Sequence, residues 1–211
     1  MERVKRYLIQ LLGLFISSVG VVLVTKGNLG TSCISSVPCV LSLIFPISMG
    51  VFTILFSLVL IAAQLVILGK DFKPEHALQI PVSILFGWFI DLAMPVFSFV
   101  DPQTYPEKLL VVLIGCVVVG VSVYLEVLAD VIMLPGESFV RCVVQRWKTE
   151  FGVTKIIFDV TISLLAAAVS LLCTGKLMGV REGTVIASVL VGFIARWLKK
   201  KLEFLPEKIF T

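Results

Sequence analysis

The chain has 211 residues, 58% of them hydrophobic and 15% charged, with a formal net charge of +4, and its mean hydropathy is +1.07. That apolar content lies well above an ordinary soluble domain and leaves no room for a soluble domain beside a membrane one. The basic residues are clustered, so the positive charge reads as a signal of membrane orientation, not of nucleic-acid binding.

In chain order, six segments approach the ~20 residues that a bilayer crossing needs. They are residues 7–24, 49–68, 77–99, 108–128, 155–173 and 184–198. The basic start, Met1-Glu-Arg-Val-Lys-Arg, resembles a signal peptide. Its apolar core is longer than the roughly 7–15 residues of an h-region, and no small-x-small cleavage site follows, so it is expected to stay as the first span.

Two inserts interrupt the spans. The first covers 27–48 and opens Gly27-Asn28-Leu29-Gly30-Thr31-Ser32-Cys33-Ile34-Ser35-Ser36. An uncharged apolar run over 37–45 follows, too short to span. Irregular backbone at membrane depth survives only where protein or a wet cavity satisfies its polar groups. The insert therefore predicts a half-helix dipping into the membrane, with Asn28, Thr31, Ser32, Ser35 and Ser36 as candidate site residues. The second insert covers 130–152. Pro135-Gly136-Glu137-Ser138 opens a helix in which Phe139, Val140, Val143, Val144 and Trp147 recur on one face, with Arg141, Arg146 and Lys148 elsewhere. That pattern predicts an amphipathic helix resting at the interface or partly inserted. Sequence leaves open whether the inserts are re-entrant or only interfacial.

Placing the N-terminus in the cytoplasm puts 14 Lys and Arg inside and only Lys26, Lys108, Lys176 and Arg181, 4 residues, outside. The positive-inside rule then puts both termini in the cytoplasm. The chain also repeats itself. A shift of 102 residues aligns Gly13 with Gly115, Ser36 with Ser138, Gly50 with Gly152 and Phe56 with Phe158. After a three-residue gap, Ser83 aligns with Ser188 and Gly87 with Gly192. Each unit, about 7–100 and 108–200, holds three spans with an insert after the first. An odd number of spans puts the two units in opposite orientations, the inverted-repeat plan of many transporters. The expected fold is a single all-α membrane domain of about six transmembrane helices in two inverted three-helix repeats.

Glu137 sits in the first turn of the second insert helix. It is either an acid complementing the helix dipole, worth ~0.3–1 kcal/mol, or a proton or cation site facing a cavity. Asp91 lies inside the third span, where a carboxylate is either structurally paired or functional. Its repeat partner, Arg196, reads as a snorkelling interfacial cation. Lys155 and Asp159 form an i, i+4 pair at the start of the fifth span. Glu126 and Asp130 are expected to be wet, with Asp130 bordering a vestibule. Arg181 and Glu182 read as a polar cap on the last span or, for Arg181, as a substrate-gathering cation. The candidate binding set is thus Asn28, Thr31, Ser32, Ser35, Ser36, Asp91, Asp130, Gly136, Glu137, Ser138 and Arg181.

The basic start, the Gly-rich first span, the Asn28-Leu-Gly30 turn, Pro135-Gly-Glu137 and Arg181-Glu-Gly183-Thr184 resemble the YczE/YyaS/YitT family. The resemblance implies a bacterial inner-membrane protein and supplies no catalytic residues.

The five cysteines, Cys33, Cys39, Cys116, Cys142 and Cys173, form no CxxC pair and read as small buried hydrophobes. His76 is the only histidine, and neither a metal-ligand cluster nor a phosphate-binding Gly-rich loop is present. No cofactor, metal or enzymatic activity is expected. The expected function is secondary transport of a small solute or ion, with the lipid bilayer as partner and a homo-oligomer compatible with the plan. A passive channel would show flux without saturation. An accessory subunit would show no flux alone and would copurify with a partner.

Overall fold

The computed structural model describes residues 2–69 and 74–202. Lys70, Lys73 and Lys208, part of the basic-residue partition, lie outside the described residues. Among those described there is no strand. The helices are α1 (Glu2–Lys26), α2 (Cys33–Ile44), α3 (Met49–Leu68), α4 (Gln79–Val96), α5 (Tyr105–Ala129), α6 (Pro135–Trp147), α7 (Phe151–Thr174) and α8 (Glu182–Lys201). A 3-10 turn, Pro74–Leu78, leads into α4. The order is one long helix, one short and two long, followed by the same succession again.

Five helices are long and apolar enough to cross a membrane: α1, α3, α4 with its preceding turn, α5 and α7. The chain is therefore a multi-pass membrane protein. The predicted sixth span, α8, is 20 residues long but falls short of that apolar content. Glu182 opens it, and Arg196 and Lys199, Lys200 and Lys201 close it, so every 18-residue stretch holds at least three charges. α5 begins three residues before the predicted start at 108. The Glu107 carboxylate folds back to accept from the N–H groups of Gln103 (2.9 Å) and Thr104 (3.3 Å), fixing the first turn. α4 stops before the predicted end at 99. Pro95 lies in its last turn, and the chain closes with N–H bonds from Phe97 to Ala93 O and from Ser98 to Pro95 O.

α1 and α5 run antiparallel through the middle, because small residues let their backbones approach. A Cβ on Gly20 would lie 2.8 Å from Val119 N, and one on Gly115 would lie 2.8 Å from Val24 N. α4 packs on α1, and α8 packs on α5. α2 and α6 are each wedged between α3 and α7. Three apolar clusters follow. One joins α1 and α4 through Leu14, Val22, Phe86 and Ile90. A second joins α2, α6 and α7 through Val40, Val140, Phe158 and Ile162. The third joins α1, α5 and α8 through Val24, Leu29, Val112, Cys116 and Ala187. Large apolar side chains also cover the outside, among them Val66, Phe99 and Leu172. In water such a girdle would be an aggregation hazard; against lipid it is the required surface.

α6 corrects one expectation. Within the predicted stripe Val140 is buried and Phe139 and Val144 pack against the same cluster, but Trp147 at its end is exposed and Cys142, outside it, is buried. The buried face is Pro135, Gly136, Ser138, Val140 and Cys142. The first two turns of α6 are surrounded by protein, so their contacts follow the neighbours α3 and α7 and not a single lipid-facing stripe.

Candidate functional site

Residues 27–32 leave α1 through a left-handed Asn28 (φ 53°) and return toward the interior to start α2. Thr31 is fully buried. Its N–H donates to Thr184 Oγ1 (3.3 Å), and its hydroxyl pairs with that of Thr25 (3.1 Å). Ser32 Oγ donates to Ser35 Oγ (2.9 Å), and Ser36 Oγ donates to Cys33 O (2.6 Å). The predicted hydroxyl cluster therefore exists in the interior, largely bonded to itself. Neither N-cap, Ser32 of α2 nor Leu134 of α6, bonds its first turn through a side chain, leaving first-turn amides for another acceptor. The two starts meet: a Cβ on Gly136 would lie 2.8 Å from Ile34 Cδ1. A side chain at 136 would require Ile34 Cδ1, the end of a flexible side chain, to shift. Two helix N-termini, each carrying roughly half a positive charge, thus face one region.

Acids flank that region. Glu137, in the first turn of α6, feels Lys155, Asp159 and Arg141, and Glu126 on α5 feels Glu137. Glu126 is half-buried, and its Oε1 is buried without a hydrogen-bond partner, so the expectation of a wet side chain fails for that oxygen. Its stem lies against Gly13, where a Cβ would come within 3.1 Å of Glu126 Cγ. Lys155 and Asp159 form the expected pair, at 2.7 Å. Ser163 lies one further turn along α7, its hydroxyl next to the Cys33 thiol, and Gln10 Oε1 on α1 is buried without a partner. Buried polar atoms without protein partners are where water or a solute binds.

Ser138 has a different role. Its hydroxyl donates to Gln64 Oε1 (3.0 Å) and accepts from Gln79 Nε2 (2.9 Å). Gln64 and Gln79 exchange amide bonds at 3.2 Å, and Gln64 Nε2 also reaches Pro135 O (3.1 Å). Gln64 is fully buried and Gln79 nearly so. This satisfied network pins the start of α6 onto α3 and α4.

Asp91 lies away from the helix starts, in a shallow surface depression with Ser42, Ile47, Ser48 and Met94. It accepts from Ser48 Oγ (2.6 Å) and from the N–H of Gly50 (2.8 Å). Those contacts tie the first turn of α3 to α4. Asn28 and Asp130 are exposed, left-handed residues that end α1 and α5. Arg181 bonds Asn28 O (3.4 Å) and pairs with Glu182 (3.2 Å) at the surface.

The structure therefore places Ser32, Ser35 and Ser36 at the start of α2, whose Ile34 meets Gly136 next to Glu137, sets Thr31 against Thr25 and Thr184, and leaves Asp91, Asn28, Asp130 and Arg181 outside that group. Sequence reading did not select Glu126, Gln10 or Ser163. Their one signal was a polar side chain inside an apolar run. Among the described residues, no group of three or more His, Cys, Asp or Glu side chains is arranged to hold a metal ion.

Over residues 4–200 the chain matches DUF6198, a family of unknown function. No curated protein and no solved structure matches it.

Proposed function

The chain belongs to DUF6198, a family of unknown function, and we propose that it is a secondary transporter of a small solute. The observation that carries the reading is the meeting of the α2 and α6 starts at Ile34 and Gly136, beside the carboxylates of Glu126 and Glu137. Interrupted helices whose dipole ends and free backbone groups face one central site are the binding plan of many transporters. Glu137 and Glu126 are the proposed proton or cation carriers. Asp91 gives up that role, since its oxygens are engaged at the α3 start.

The same reading takes residues 7–100 and 108–200 as inverted units. In its favour, contacts occur in swapped pairs: Gly13 lies on Glu126 and Gly115 on Val24, each residue shifted by 102. Asn28 and Asp130, again 102 apart, both have positive φ. In this reading α8 is a sixth span, the membrane is the bacterial inner membrane, and the kinship to the YczE/YyaS/YitT family stands as a proposal.

The test combines a thermal-shift screen of small metabolites on purified protein with uptake into proteoliposomes. A ligand that binds only the native state raises its stability in proportion to the logarithm of its excess over Kd. Glu126→Gln and Glu137→Gln are expected to melt like wild type and to lose uptake or its pH response. Wild-type rate and pH dependence in both variants would reduce these acids to structural groups. Flux that never saturates would point to a channel, and copurification with a partner but no flux would point to an accessory subunit.

A further inference from the structure

The two halves differ at one joint. α3 and α4 pack closely, with Gly87 O close to Gly50 and the Asp91 carboxylate bonded to Ser48 and Gly50. The positions that correspond under the proposed repeat are Gly152 for Gly50, Gly192 for Gly87, Glu150 for Ser48 and Arg196 for Asp91. There, α7 and α8 form no comparable interface. A Cβ on Gly192 meets nothing within 4 Å, and one on Gly152 meets only the Glu150 carboxylate, at 3.5 Å. Both glycines are left without the neighbour that would require them. Glu150 and Arg196 are exposed, of opposite charge, and have no side-chain partner among the described residues. The pins differ too. Gln64 and Gln79 bind α3 and α4 to α6. Their counterparts are Ala166, which has no polar group, and Thr184, whose hydroxyl is engaged by Thr31.

We infer that α7 and α8 form a gate that closes by packing Gly152 against Gly192, with Glu150 and Arg196 pairing as its latch. The closed joint copies the α3–α4 joint at the opposite end of the bundle, so the molecule has a second conformation, closed where this one is open. α8 is held to the Leu29–Thr31 segment at its first turn only, by Gly183 N–H to Leu29 O and Thr31 N–H to Thr184 Oγ1, and two helices without a tight interface between them rearrange more readily than two that have one. The inference rests on the repeat in the proposed function, but its test needs neither a solute nor flux.

The five native cysteines are replaced by Ser or Ala, and spin labels are placed on Val153→Cys and Lys200→Cys, which leaves the latch intact. Electron–electron distances are then measured in nanodiscs. A short-distance population is expected beside a long one. Arg196→Gln should reduce it, and the swap of Glu150→Arg with Arg196→Glu should restore it. Gly192→Leu should abolish it without lowering Tm, because this conformation has room for the side chain. A single long distance in all variants overturns the gate. So does a short population that survives Gly192→Leu, or one that disappears when labelled protein is diluted with unlabelled protein, which would mark a contact between copies. If closure is seen while no solute moves, the gate stands and the transport reading falls.

Discussion

At the scale of single residues, the two intramembrane acids that look alike in the sequence separate by their surroundings. Asp91 has both oxygens engaged, by a hydroxyl at 2.6 Å and an amide at 2.8 Å. Hydrogen bonds to a charged group are worth roughly 1.5–3 kcal/mol. Asp91→Ala is therefore expected to lower stability by about that amount, read as a fall in Tm, while the surviving folded protein keeps its transport. Full stability with lost uptake would return Asp91 to the site. Glu126 is the reverse case: its inner oxygen has no partner. Sequence made Asp91 conspicuous because it interrupts the middle of an apolar run. It made Glu126 inconspicuous because Asp130 follows nearby and the pair reads as a wet helix end. What separates them is which side of its helix each carboxylate leaves from, and that depends on neighbours 100 residues away, such as Gly13 beside Glu126.

At the scale of elements, the long helices were legible because length and uniform apolarity need no tertiary information. The first insert was also legible. Hydroxyls and glycines ahead of a short apolar run produced a 12-residue helix with a buried middle. The second was read in part: Phe139, Val140 and Val144 of its stripe pack inside, while Trp147 is exposed. A helix with charges at one end and protein on several sides does not obey a single stripe, and Trp147 followed the helical spacing out to the surface. The α1–α5 crossing carries a sharper expectation. A Cβ at Gly20 or Gly115 would press to 2.8 Å on the partner's backbone nitrogen, and backbone cannot rotate away. Overpacking of this kind costs typically 1–3 kcal/mol. Gly20→Ala and Gly115→Ala should each lower Tm, although alanine is the better helix former by ~1 kcal/mol. Gly192→Ala is the control, expected to hold or raise Tm.

At the scale of the whole molecule, orientation decides what the asymmetry between the halves means. The basic residues partition 14 to 4, and juxtamembrane Lys and Arg hold cytoplasmic ends in place. In the proposed orientation, with both termini cytoplasmic, the basic C-terminal half of α6, with Arg141 and Arg146, and the Lys199, Lys200 and Lys201 run ending α8 fall on that same side. With this orientation the Ser48–Asp91 joint closes the outer end, and the separated α7 and α8 open the molecule toward the cytoplasm. Reporter fusions decide it. A fusion at Thr211 should report the cytoplasm, and one in the 101–107 loop the outside. If the loop fusion reports the cytoplasm instead, the number of crossings before it is even, and the two units cannot be inverted copies. The pairing of Gly152 with Gly50 then loses its geometric basis, and the half-buried carboxylates of Glu126 and Glu137 would have to be explained by a bundle without internal symmetry.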